Sequence, residues 1–67
     1  MNIGNIIKSL RIENKMTQTE LASLLFTSQD TISLWERNKS LPDIKSIIQM
    51  TKIFHVTADY ILGLENY

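Results

Sequence analysis

The chain contains no cysteine, two glycines, one proline and one histidine. Without cysteine there is neither a disulfide framework nor a thiolate metal site. Zinc would need several histidine, cysteine or carboxylate ligands, and these do not cluster along the chain. Gly4 and Gly63 alone cannot build a glycine-rich phosphate loop. An enzyme needs a nucleophile, an acid or base, or a metal. His55 lacks the partners for such chemistry and reads as a helix-end residue, where a cation meets the favourable end of the helix dipole. No catalytic residue, no metal site and no cofactor are therefore expected.

Long apolar runs are also missing. None approaches the ~20 residues of a membrane span. Lys8 interrupts a short amphipathic segment where a signal peptide would be apolar. The lack of cysteine fits a reducing compartment. These absences predict a soluble cytoplasmic protein with no membrane partner and no evident small-molecule ligand. An excess of either charge is missing too, because seven Lys and Arg balance seven Asp and Glu. A nucleic-acid binder usually shows a basic patch, so the balance counts against that class. The distribution counts for it. Arg37, Lys39 and Lys45 lie close together, and only Asp43 is acidic between Arg37 and Lys52.

What is present is helical periodicity. Sixty-seven residues make one domain, 1–67, which buries only about 60% of its unfolded surface. Stability must come from helix packing or self-association. The spacing of Ile3, Ile6, Ile7 and Leu10 predicts a first helix from Ile3 to Asn14, with Lys8, Glu13 and Lys15 in water. Thr17 and Glu20 form a capping box for a second helix, with Met16 and Leu21 as its hydrophobic staple. Leu21, Ala22, Leu24 and Leu25 supply its buried face, and small Ala22 lets another helix cross. Ser28 is the N-cap of a third helix, with Ile32 and Trp35 inward. Asn38 tolerates the left-handed conformation that ends many helices. A polar loop from Asn38 to Pro42 follows. Asp43 caps a fourth helix, whose stripe of helical spacing is Ile44, Ile47, Ile48, Thr51 and Phe54. Thr57 caps the last element, where Tyr60, Ile61 and Leu64 give an apolar side and Gly63 weakens the end. No segment alternates long enough for a strand. The fold class is all-α, with five helices.

The stretch from Thr17 to Trp35 is then two short helices joined by a tight turn. Such a pair can push side chains into a DNA major groove. Gln29 can bond adenine at N6 and N7 through its amide, and Thr31 and Ser33 can bond bases or phosphates. The Thr31 methyl can touch a thymine methyl, and Asp30 can accept from cytosine or repel wrong sites. Gln18 can bond phosphate beside the free N–H groups of its helix start. Each polar residue taken singly is also an ordinary solvated one. Trp35 could stack on a base, but its spacing from Ile32 places it in the core.

Those residues carry a resemblance. Thr17-Gln18-Thr19-Glu20-Leu21-Ala22, Ser28 through Arg37, Leu41-Pro42-Asp43, and Val56 through Gly63 together resemble the lambda-repressor-like helix-turn-helix family, also called Cro-type or XRE. The resemblance covers nearly the whole chain, with the helix-turn-helix at about 17–36. It implies a five-helix lambda-repressor-like DNA-binding domain. By it, Gln29, Asp30, Thr31 and Ser33 are base-reading candidates, and Thr17, Gln18, Ser28, Arg37, Asn38 and Lys39 are phosphate candidates. It also implies that Arg11 and Glu36 form an ion pair tying helix one to helix three, rather than leaving Arg11 for phosphate. Phe26, Asn38 and His55 stand where the family often has glycine. A bulky residue at positive φ is costly, so the turn at Phe26 is expected to take another form.

A module this small makes a limited interface with DNA, and specific sites are commonly two-fold. The expected partner is double-stranded DNA, bound by a homodimer at least when on DNA. Tyr60, Ile61, Leu64 and Tyr67 are the candidate dimer surface, although Tyr60 and Ile61 could instead finish the monomer core. The expected function is a sequence-specific transcriptional regulator, most simply a repressor. A protein-interaction module of the same fold, antitoxin-like or a controller partner with weak or no DNA binding, is the alternative.

Overall fold

The computed structural model describes residues 2–65, so Tyr67 lies outside the described residues. Five helices follow one another: α1 (Ile3–Glu13), α2 (Gln18–Leu24), α3 (Gln29–Glu36), α4 (Ile44–Phe54) and α5 (Ala58–Ile61). There is no strand among the described residues. α1 packs on α3 and α5, α2 on α3, and α4 on α5, within 29 × 23 × 21 Å.

Four of the helix starts are written in the sequence. Thr17, Ser28, Asp43 and Thr57 each accept the backbone N–H three residues on, from Glu20, Thr31, Ser46 and Tyr60. Glu20 Oε1 takes the Thr17 N–H at 2.8 Å, which completes the capping box. Each such cap satisfies a donor that the helix itself leaves without a partner. Bonds to the Ser46 side chain and N–H hold the Asp43 carboxyl below its ordinary range. A lowered carboxyl contributes stability above its unfolded value and loses it as pH falls through the folded one. The start of α4 is thus a part of the fold that weakens in acid.

The helix ends share one device as well. N–H groups of Met16, Thr27, Lys39, Val56 and Leu64 each donate five residues back, to Arg11, Ala22, Leu34, Thr51 and Asp59. This is the Schellman closure, which needs a left-handed residue just before the donor. Those residues are Lys15, Phe26, Asn38, His55 and Gly63. Phe26, at φ 56°, keeps the left-handed turn that its bulk had argued against. The cooperative gain of the closure outweighs a conformational cost of about 1–2 kcal/mol. Gly63 stands beyond α5 rather than inside it, and so terminates the helix.

The core draws on every helix: Ile3, Ile7 and Leu10; Leu21 and Ala22; Ile32 and Trp35; Met50 and Phe54; and Ile61. One expectation about it is corrected, because Leu24 is exposed. Ile44, at 76%, and Ile48 are exposed as well. The inward stripe of α4 keeps Ile47 and Phe54 of the expected set and adds Met50. Two adjacent stripes of α4 are apolar, and helical periodicity fits either. Packing against the rest of the chain selects one. Ile61 is fully buried, which gives it to the monomer core.

Gly4 has a role its sequence context did not reveal. A Cβ there would lie 2.4 Å from the Trp35 carbonyl oxygen and 2.8 Å from Asn38 Oδ1. Its N–H donates to that same Asn38 Oδ1 at 3.1 Å. The start of α1 therefore rests directly on the end of α3. Gly4→Ala tests this contact. Helix propensity alone would make the change stabilising by about 0.5–1 kcal/mol, whereas overpacking costs about 1–3 kcal/mol. A net loss of stability in urea titration is expected; a gain would show that the helices separate freely.

Candidate nucleic-acid interface

The site begins with a charge inside the fold. Arg11 on α1 donates from Nε to Glu36 Oε2 at 2.6 Å and from Nη2 to Oε1 at 3.1 Å. Its Nη1 donates to the Met16 carbonyl at 2.8 Å. The two side chains are 11% and 3% exposed. The bond to Glu36 raises the Arg11 pKa above its ordinary value, burial opposes that, and the Glu36 charge adds to it. Arg11 is thus held charged and turned inward, away from any phosphate.

Glu36 has a third donor, Gln18 Nε2 at 3.0 Å. Gln18 Oε1 in turn accepts from Gln29 Nε2 at 2.5 Å. One chain of hydrogen bonds thus runs from α1, through the end of α3 and the first residue of α2, to the first residue of α3. An amide nitrogen carries two protons and an amide oxygen two lone pairs. With one N–H on Gln18, Gln29 keeps the second N–H and its oxygen. Those two atoms are what a bidentate bond to adenine requires.

The geometry of α3 separates the other candidates. Ile32, Trp35 and Glu36 are buried. At about 3.6 residues per turn the opposite face centres on Asp30, Leu34 and Arg37, all exposed. Gln29 lies on the flank beside α2. Thr31 lies on the other flank, facing Phe26 and Leu41 across a groove. Ser33 is half-buried, and its Oγ accepts from Arg37 Nε at 3.1 Å. That bond lays the Arg37 head along the helix.

The phosphate candidates are divided in the same way. Thr17 and Ser28 use hydroxyl lone pairs in their caps. The Thr17 proton stays available to donate, while the Ser28 and Thr31 hydroxyls share a bond at 2.9 Å. Asn38 commits its amide oxygen to Gly4. Lys39 is exposed just after α3. Leu34 is a residue that sequence reasoning passed over. Its signal was there, one helical turn after Asp30, but an apolar residue on a helix is first read as core.

Comparison with known proteins places this arrangement. The family model described as Helix-turn-helix (HTH_3) matches residues 7–61. The HTH-type transcriptional activator BcrR of Enterococcus faecalis is 35% identical over 65 residues, 97% of this chain and 32% of that protein. The HTH-type transcriptional regulator ImmR of Bacillus subtilis (strain 168) is 30% identical over 63 residues, 94% of this chain and 50% of its own. The chain thus spans about a third and a half of the lengths of these curated relatives. Among solved structures, the P22 c2 repressor protein in complex with a synthetic operator superposes with a TM-score of 0.88. It is 26% identical, with 97% of this chain and 98% of that one covered. The chain belongs to the helix-turn-helix family, and its fold is the lambda-repressor-like one.

Removing one side of the buried pair should be severe. Glu36→Ala leaves the Arg11 guanidinium buried without its acceptor, at about 3–5 kcal/mol. That is a large share of the stability of so small a domain. Chemical denaturation should show partial or complete unfolding at room temperature. An unchanged midpoint would mean that the pair contributes nothing to the fold.

Proposed function

We propose that this helix-turn-helix chain is a sequence-specific DNA-binding transcriptional regulator, most simply a repressor that occludes a promoter. The observation that carries the reading is the hydrogen-bond chain ending at Gln29. A solvated polar residue has no need of three partners in series to fix its amide. A base-reading amide does, because ordering it in advance lowers the cost of binding.

In this reading α3 lies in the major groove of double-stranded DNA. Gln29 reads adenine. Asp30 accepts from a cytosine amino group or rejects other bases, and Leu34 beside it meets an apolar base edge. Thr31 and Ser33 bond bases from the two flanks. Thr17, Gln18 and Ser28 approach one phosphate strand, and Arg37, Asn38 and Lys39 meet backbone beyond the helix end. Gln18 then has two tasks, holding Gln29 and bonding phosphate. The chain acts in the cytoplasm, with residues 1–67 folding as one helix-turn-helix domain.

A two-fold site bound by a homodimer suits the small size of one module. With Ile61 in the core, the proposed dimer surface is Tyr60 and Leu64, and the exposed Ile44 and Ile48 of α4 offer further apolar surface. Tyr67 belongs to the same proposal but lies outside the described residues.

Selection of bound duplexes from a random pool tests the function. A palindrome-like site should be enriched, and its affinity should fall steeply with salt. Equal weak binding to every sequence would leave the chain a protein-interaction module. Gln29→Ala should relax preference at one base position and cost about 1–3 kcal/mol, whereas Lys39→Ala should weaken all sequences alike. Binding assays that found lost selectivity only in the lysine variant would reverse these two roles.

A further inference from the structure

Phe26 carries two penalties at once. Its backbone is left-handed at φ 56°, a conformation free to glycine and costly to a side chain. The residue is 92% exposed, so burial within the chain offsets neither. Phe26 lines a groove of about 610 Å³, with Thr31, Leu34, Leu41, Asp43 and Lys45 among its other residues, so the groove carries one acid and one base. Thr31 and Leu34 belong to the proposed reading helix, so the groove is continuous with that surface. Backbone strain of this kind gathers at functional sites.

Electrostatics narrows what the groove meets. With seven basic and seven acidic residues, the chain has little surplus charge to draw on phosphates. Discrimination must then rest on base edges. The apolar feature of the major groove is the C5-methyl of thymine, and an aromatic ring, a threonine methyl and a leucine are all surfaces that fit it.

We propose that Phe26, with Thr31 and Leu34, forms an apolar wall that reads thymine methyl groups at the edge of the bound site. The inference rests on the DNA-binding reading above. It makes Phe26 a specificity-determining residue on a turn whose family pattern often has glycine.

The test uses the duplex enriched by selection and copies of it with deoxyuridine in place of each thymine, which removes only the methyl. Wild-type protein should bind at least one such copy about fourfold more weakly, the factor that burial of one methyl-sized group gives. Phe26→Gly should lose a similar factor on the thymine duplex and be indifferent to the same deoxyuridine. The same variant should melt several degrees higher, because glycine relieves the left-handed strain. That split between affinity and stability is not what a merely structural residue would give. Indifference of the wild-type protein to every deoxyuridine would overturn the inference, whatever the variant does. So would full affinity of Phe26→Gly for the thymine duplex, which would leave the ring to a protein partner. Either result leaves selective DNA binding standing, whereas failure to enrich any site would bring down both.

Discussion

The Arg11–Glu36 pair is the interaction on which the rest depends. Two charges taken out of water cost several kcal/mol each, and their attraction offsets that only when the remaining donors and acceptors are satisfied. Here they are. Glu36 accepts three hydrogen bonds, and Arg11 adds a fourth to the Met16 carbonyl. No buried side-chain polar atom lacks a partner among the described residues. The pair therefore dictates geometry. α1, the start of α2 and the end of α3 must meet at one point, and Gln18 is held where it can steady Gln29. An apolar pair of the same size could fill the space, but it would give Gln18 nothing to bond.

Around that point the fold relies on short-range devices repeated at every helix. Side-chain caps open four of them, and one kind of left-handed closure ends all five. The helices are short, and short helices are unstable alone. Caps and closures fix where each begins and ends, so the small core can pack one arrangement. Most closures use a residue other than glycine, so several helix ends hold local strain. At Lys15 and His55 the strain has no neighbour among the proposed reading residues. At Phe26 it sits beside the proposed reading helix, where the inference above gives the exposed residue a use.

The outward face of α3 explains the character proposed for the interface. Its centre holds an acid, a leucine and an arginine folded back on Ser33, and not a row of free cations. Such a face gains little from phosphate attraction and much from fit. A wrong base leaves Asp30 or the Gln29 amide without a partner, which costs more than the right contact gains. The proposed selectivity, with moderate affinity, rests on that balance.

Much of the fold was legible in the sequence, because its signals are local. Thr17 with Glu20, Ser28, Asp43 and Thr57 announce helix starts within three residues of themselves. The inward spacing of Ile32 and Trp35 is set by the helical repeat. The candidate site was legible as a list of polar residues on one short helix, but not as an arrangement. Periodicity could not choose between two apolar stripes on α4, where Ile44 and Ile48 repeat as regularly as the Ile47 and Phe54 that the core takes with Met50. Nor could it show that Leu24 faces water. Glycine statistics argued against a left-handed Phe26, because they weigh one residue and not the closure it belongs to. The contact of Gly4 with Asn38, 34 residues apart, and the link from Gln18 to Glu36 and Gln29 joined positions that no local pattern connects. The sequence by itself determined which residues are helical, where helices start, and the family to which they belong. Tertiary structure alone decided which stripe is buried and which amide is held in place, because those outcomes depend on what packs against each helix.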